Sequence, residues 1–175
     1  MAGEHRGVRR GSGQHRGVSS LPTLGPRGEG WVAIQIVLFW LVVAAGMAGP
    51  VLDGPARAVL GVAGGVLIAA GGYLAVRGVV DLRDSLTALP RPRDGARLVE
   101  TGSYALVRHP IYGGLVLGAA GWSLLTASPL ALALAVVLLV FFRLKSSREE
   151  AWLRERYPGY EAYAGRTRRM LPLLY

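Results

Sequence analysis

The apolar residues of this chain are gathered into long runs separated by polar punctuation. The first run, Trp31 to Leu52, carries Gln35 as its main polar residue. Asp53-Gly54-Pro55 then marks a turn, because Gly and Pro punctuate and Pro suits the start of a helix. A second run, Ala58 to Val76, is dotted with Gly61, Gly64, Gly65, Gly71 and Gly72. Such small residues let helices approach closely in lipid, and Gly61 with Gly65 forms a GxxxG pair. No G-x-G-x-x-G follows a strand, which excludes a Rossmann site. The third run, Ile111 to Phe142, holds no charged side chain and would be about 48 Å long as one helix. A hydrocarbon core is about 30 Å thick, so the run is too long for one span and somewhat short for two. Ser128-Pro129 near its middle offers a hairpin turn, and Arg108 and Arg143 at its edges can snorkel outward. The pattern predicts an all-α polytopic integral membrane protein with about four transmembrane helices, two over 31–76 and a hairpin over 110–142.

Two polar segments interrupt or follow these runs. The central one, Arg77 to His109, is broken by Pro90 and Pro92 and contains Asp81, Asp84, Arg91, Arg93, Asp94, Arg97, Glu100 and Arg108. The other, Arg143 to Tyr175, has helical composition to Tyr157, is stopped by Pro158-Gly159, and predicts a short helix over Tyr160 to Arg166. Residues 1–30 are rich in Gly, Arg and Ser, repeat His-Arg-Gly-Val at His5 and His15, and read as a disordered basic tail. Arg9-Arg10 lacks the apolar residues that a twin-arginine signal needs, and Trp31 to Leu52 exceeds a signal core, so the first run is expected to be a retained span. The organisation is thus a tail (1–30), two membrane helices (31–76) and a catalytic half (77–175).

Composition sharpens this picture. Of 175 residues 51% are hydrophobic and only 18% charged, whereas soluble domains carry roughly a quarter charged; that composition argues against a soluble enzyme. The net charge of +9, from 20 Lys+Arg against 11 Asp+Glu, sits in the tail, the central loop and the C-terminal segment, with none in the hairpin turn. That placement points to the positive-inside rule rather than to nucleic acid: both termini, the central loop and the C-terminal helices are predicted to be cytoplasmic, in the cell membrane. With no Cys and three His, two of them in the tail, a thiolate nucleophile is excluded and no metal site is expected. The spans hold no acidic residue, which disfavours a proton-coupled transporter.

Chemistry is therefore confined to the two polar segments. In Arg108-His109-Pro110-Ile111-Tyr112, Pro110 suits a first helical turn, so a third helix is predicted to begin there. Its free N–H groups beside Arg108 would suit a carboxylate or phosphate; equally, Arg108 snorkels while His109 and Tyr112 sit in an interfacial belt. Past the fourth run, Lys145 and Glu149 lie one helical turn apart and can face one ligand, while Glu150 and Arg154 suit an i,i+4 pair. That cluster fits a ligand site and an ordinary solvated helix alike.

Taken together, the motifs resemble the isoprenylcysteine carboxyl methyltransferase family and, more distantly, the phospholipid N-methyltransferases. The resemblance rests on Leu98-Val99-x-x-Gly102-x-Tyr104, Arg108-His109-Pro110-x-Tyr112-x-Gly114, Glu149-Glu150-x-x-Leu153, Tyr160-x-x-Tyr163 and Leu171-Pro172, in that order. It implies S-adenosyl-L-methionine as methyl donor. Arg97, Leu98, Val99, Tyr104, Arg108, His109, Pro110, Ile111 and Tyr112 would line the donor, with Glu149 reaching it from the C-terminal helix. The family's substrate-side arginine falls at Lys145, which keeps the charge without the planar fork. The implied acceptor is a small lipophilic or lipid-like molecule among membrane lipids, with carboxylate O-methylation favoured over amine N-methylation. A carboxylate needs only a cation such as Lys145 for placement, whereas an amine must arrive neutral and would use Glu149 or Glu150 as base. Two alternatives stand beside it: an NADPH-dependent membrane reductase, with Arg166, Arg168 and Arg169 for the extra phosphate, and a non-catalytic membrane adaptor.

Overall fold

The computed structural model describes residues 21–22, 24–49, 53–87, 89, 95 and 97–172. The basic tail over 1–20 lies outside them, but the end of that segment is folded. Leu24 packs on the core, its carbonyl accepts from Gly30 N at 2.8 Å, and Trp31 Nε1 donates to Pro22 O at 3.3 Å.

Five α-helices follow: α1 (Glu29–Met47), α2 (Pro55–Leu82), α3 (Pro110–Leu125), α4 (Pro129–Arg156) and α5 (Tyr160–Arg166). Short 3₁₀ turns occupy Arg83–Ser85 and Gly102–Ala105. Among the described residues the only β-type pairing is a single bridge between Val107 and Arg168. Local signals set several ends where expected. Pro110 opens α3; Ser128 caps α4 by accepting from Ala131 N at 3.2 Å; Pro158-Gly159 separates α4 from α5. Two helices outrun their apolar stretches. α2 continues past Val76 through Arg77 and Asp81 to Leu82, and α4 passes Phe142 without a break, so Lys145, Glu149 and Glu150 belong to the same helix as the fourth apolar run.

α1, α2 and α4 are long and apolar enough to cross a membrane, while α3 is a shorter apolar helix of 16 residues, or about 24 Å. Large apolar side chains such as Trp40, Val62, Val66, Val76 and Val136 are exposed, as expected of surface solvated by lipid. The interior is a cluster centred on Trp31, Val42, Val116, Leu138, Phe141 and Phe142, with Trp31 and Phe141 rings 5.6 Å apart. Ser128 Oγ donates to Ala45 O at 2.8 Å, tying the α3–α4 turn to α1.

The α2–α3 contact is built on glycine, but not on the GxxxG pair. Gly65 faces open space, whereas Gly64, Gly71 and Gly78, spaced by seven, face Gly121, Gly114 and the Pro110–Ile111 start of α3. A Cβ at Gly71 would lie 2.5 Å from Gly114 O, and one at Gly64 would lie 2.6 Å from Gly121 O. Gly71→Ala is therefore expected to destabilise the fold by about 1–3 kcal/mol, the usual cost of overpacking, and Gly65→Ala to be neutral. Thermal melting of both variants in mild detergent checks this; equal melting temperatures would remove the glycine contact as a determinant of the fold.

Candidate active site

The central loop, the end of α2 and the C-terminal segment are drawn together above the bundle. Asp81, in the last turn of α2, pairs with Arg77 at 3.0 Å and accepts from Ser103 N at 2.7 Å. Gly102, at φ +63°, leaves the space that the Asp81 carboxylate fills. The turn this clamps presents Tyr104, whose carbonyl accepts from Tyr163 Oη at 2.8 Å. The next residues pair with the C-terminal segment: Arg108 N donates to Arg168 O and His109 N to Arg169 O, both at 2.8 Å. Gly113, one turn into α3, lies against Met170 O. The start of α3 is thus packed over rather than left open as an anion site.

A cavity of about 320 Å³ results, within the range of small-molecule sites. Arg97, Leu98, Val99, Tyr104, Arg108, His109, Ile111, Tyr112, Lys145 and Glu149 all line it. Two candidates do not. Pro110 is buried against Gly78 of α2 and serves to start α3. Glu150, fully buried, points the other way: Oε1 accepts from Arg108 Nε at 3.0 Å and His109 Nε2 at 3.2 Å, and Oε2 from Arg169 at 3.1 Å and Arg154 at 3.3 Å. An acceptor-only carboxylate requires the proton on His109 Nε2. With its lone pairs consumed by four partners, Glu150 is a structural staple and has no reach to a substrate proton. The Arg108 guanidinium is likewise held, by Glu150 and by the carbonyls of Ala164 and Thr167 at 2.8 and 2.5 Å. It neither snorkels nor stands free for an anion.

Glu149 and Lys145 carry the polar chemistry of the cavity. Glu149 accepts from Tyr112 Oη at 3.0 Å, lies 3.6 Å from His109 Nδ1 and keeps 23% of its side chain exposed. The His109 and Tyr112 rings stack at 5.4 Å, and Tyr112 stacks on Phe142 at 4.7 Å. Lys145 is 1% exposed; its ammonium donates to Gln35 Oε1 and stands 5.0 Å above the Tyr112 ring. No carboxylate lies within ion-pair distance of it among the described residues.

The rest of the wall was not assigned from sequence. Val79, Leu82, Ser85, Leu86 and Thr87 come from the end of α2, Gln35 from α1, and Tyr157, Tyr160 and Tyr163 from the α4–α5 corner. Ser85 Oγ fixes Arg97 by bonding both its N and its O at 3.3 Å. Tyr160 and Tyr163 were a usable signal, since residues three apart on one helix, here α5, share a face. Burial pushes the Tyr104, Tyr160 and Tyr163 hydroxyls above their ordinary range, so they remain protonated donors. Tyr160 Oη is buried and has no hydrogen-bond partner among the described residues.

The cavity residues fit a sulfonium methyl donor: one carboxylate, Glu149, faces the space, and the aromatic side chains of Tyr104, Tyr112 and Tyr157 line it. Residues 59–159, more than half of the chain, match the phospholipid methyltransferase family. The chain belongs to that family. It is also similar, at 35% identity over 83 residues, to proteins of Oryza sativa subsp. indica and subsp. japonica, each named probable protein-S-isoprenylcysteine O-methyltransferase. The similarity covers 46% of this chain and 44% of each relative, so the chain matches less than half the length of those proteins. In this phospholipid methyltransferase family member, two arginines suited to an extra phosphate are engaged elsewhere: Arg166 pairs with Glu100 and Arg169 with Glu150.

Proposed function

We propose that the chain is an integral-membrane methyltransferase that takes S-adenosyl-L-methionine as donor and methylates a carboxylate on a lipophilic acceptor. The observation that carries this reading is that Lys145 and Glu149, one turn apart on α4, line one cavity together with Arg97–Val99 and Tyr104. The bound donor would supply an already activated methyl carbon. A carboxylate acceptor would need no proton removed, so the chain's own residues would serve to seat it and align it with that carbon. Catalysis then needs proximity, alignment and exclusion of water. Glu149 would face the donor's positive charge, held in place by Tyr112 and His109. Lys145 would seat the acceptor carboxylate, and its burial makes that contact stronger than it would be in water. The remaining topology belongs to the same proposal: α3 completes a fourth crossing, residues 77–175 form the catalytic half, and the cavity and both termini are cytoplasmic.

Calorimetric titration of the full chain in mild detergent tests the reading. S-adenosylhomocysteine is expected to bind saturably and NADPH not to bind. Lys145→Ala should keep donor-product binding while losing methylation of a long-chain carboxylate by about a hundredfold, the scale on which a buried charged contact acts. NADPH binding in place of S-adenosylhomocysteine would move the assignment to a reductase, and binding of neither by a folded sample would reject an enzyme.

A further inference from the structure

Gln35 stands at a junction. It lines the cavity above and also an apolar cleft of about 220 Å³, walled by Ile36, Phe39, Trp40, Leu115, Leu138 and Phe142. It is the sole α1 residue on the cavity wall among the described residues, and α1 precedes the 59–159 stretch that matches the family. A lysine can only donate, so the amide oxygen is necessarily the atom turned toward Lys145. The Gln35 NH₂ group is thereby left with two N–H donors and no partner among the described residues. The Lys145 ammonium has donors to spare as well, and no carboxylate among the described residues meets them.

We propose that Gln35 and Lys145 together form a two-sided carboxylate grip: one acceptor oxygen on the ammonium, the other on the Gln35 amide NH₂. Two side chains from α1 and α4 then supply the paired donors that a guanidinium presents in one planar fork. The grip opens on the apolar cleft, so an amphiphile can place its carboxylate at Lys145 and its chain among Phe39, Trp40 and Phe142. This inference rests on the carboxylate reading of the acceptor, and Gln35 is its added specificity-determining residue.

The test is binding, independent of turnover. A long-chain S-alkyl-N-acetylcysteine and its methyl ester are titrated into the full chain saturated with S-adenosylhomocysteine. The wild-type protein should prefer the acid at least tenfold, the scale of a charge-assisted hydrogen bond. Gln35→Leu should weaken the acid about tenfold and leave the ester and S-adenosylhomocysteine unchanged. Gln35→Glu, nearly isosteric, should weaken the acid further by placing a carboxylate against it, and it decides the matter where Gln35→Leu does not fold. Adding Lys145→Arg to Gln35→Leu should recover the acid preference, a rescue that a purely structural Gln35 would not show. Undiminished acid preference in both single variants overturns the grip alone. An absence of acid preference in the wild-type protein overturns the underlying acceptor reading with it.

Discussion

Replacing Glu149 by glutamine is expected to lower S-adenosyl-L-methionine affinity about ten- to hundredfold while leaving the melting temperature close to that of the parent. Glu149 is the cavity carboxylate, partly exposed and anchored by Tyr112 Oη at 3.0 Å. Glutamine keeps an acceptor for that phenol and fills the same space, so packing survives. The negative charge facing the bound molecule does not, and a hydrogen bond to a charged group is worth about 1.5–3 kcal/mol. Calorimetry and a thermal melt on one preparation separate the two effects. Unchanged affinity in a folded Glu149→Gln sample would take Glu149 out of the site.

The adjacent carboxylate should behave in the opposite way. Glu150→Ala leaves Arg108, His109 and Arg169 facing one another around a buried void. Removing one partner from a buried ionic cluster typically costs about 3–5 kcal/mol. For a chain of this size that corresponds to a fall of about 6–20 °C in melting temperature. Donor-product binding should fall only as a consequence, because Glu150 holds the two residues that frame the cavity without entering it. Glu150→Gln, which retains an acceptor, should sit between. A Glu150→Ala protein that melts with the wild type would show the cluster to be energetically idle.

The contrast marks where the sequence was legible. Helix starts at Pro110 and Pro129 and the break at Pro158 follow from local chemistry, since proline lacks an N–H and restricts its predecessor. The ends of α2 and the continuity of α4 were not legible in the same way. Arg77, Asp81 and Lys145 change the composition of the chain, yet nothing in a charged side chain interrupts backbone hydrogen bonding. The i,i+4 relation of Lys145 and Glu149 puts both on one helical face, and both line the cavity. That Glu150 lies on another face follows from the 3.6-residue period, but its partners Arg108 and Arg169 come from elements distant in sequence. Gln35 was visible as the polar residue of an apolar run; only the crossing of α1 and α4 puts it beside Lys145. In the glycine-rich second run, the GxxxG pair pointed to Gly61 and Gly65, while the helix interface took the seven-residue spacing of Gly64, Gly71 and Gly78.

Because α4 is one uninterrupted rod, it also works as a ruler. Glu149 is fixed about 10 Å beyond Phe142 along the axis, and Lys145 about 4–5 Å beyond it, with no hinge between lipid-facing and chemical turns. On the proposed reading, depth in the bilayer becomes a criterion of selection. An amphiphile reacts when its head reaches the level of Lys145 while its chain stays in register with the cleft beside Phe142. Chains much shorter would leave the head stranded or the cleft half filled, so chain length and head charge are read together on the same helix.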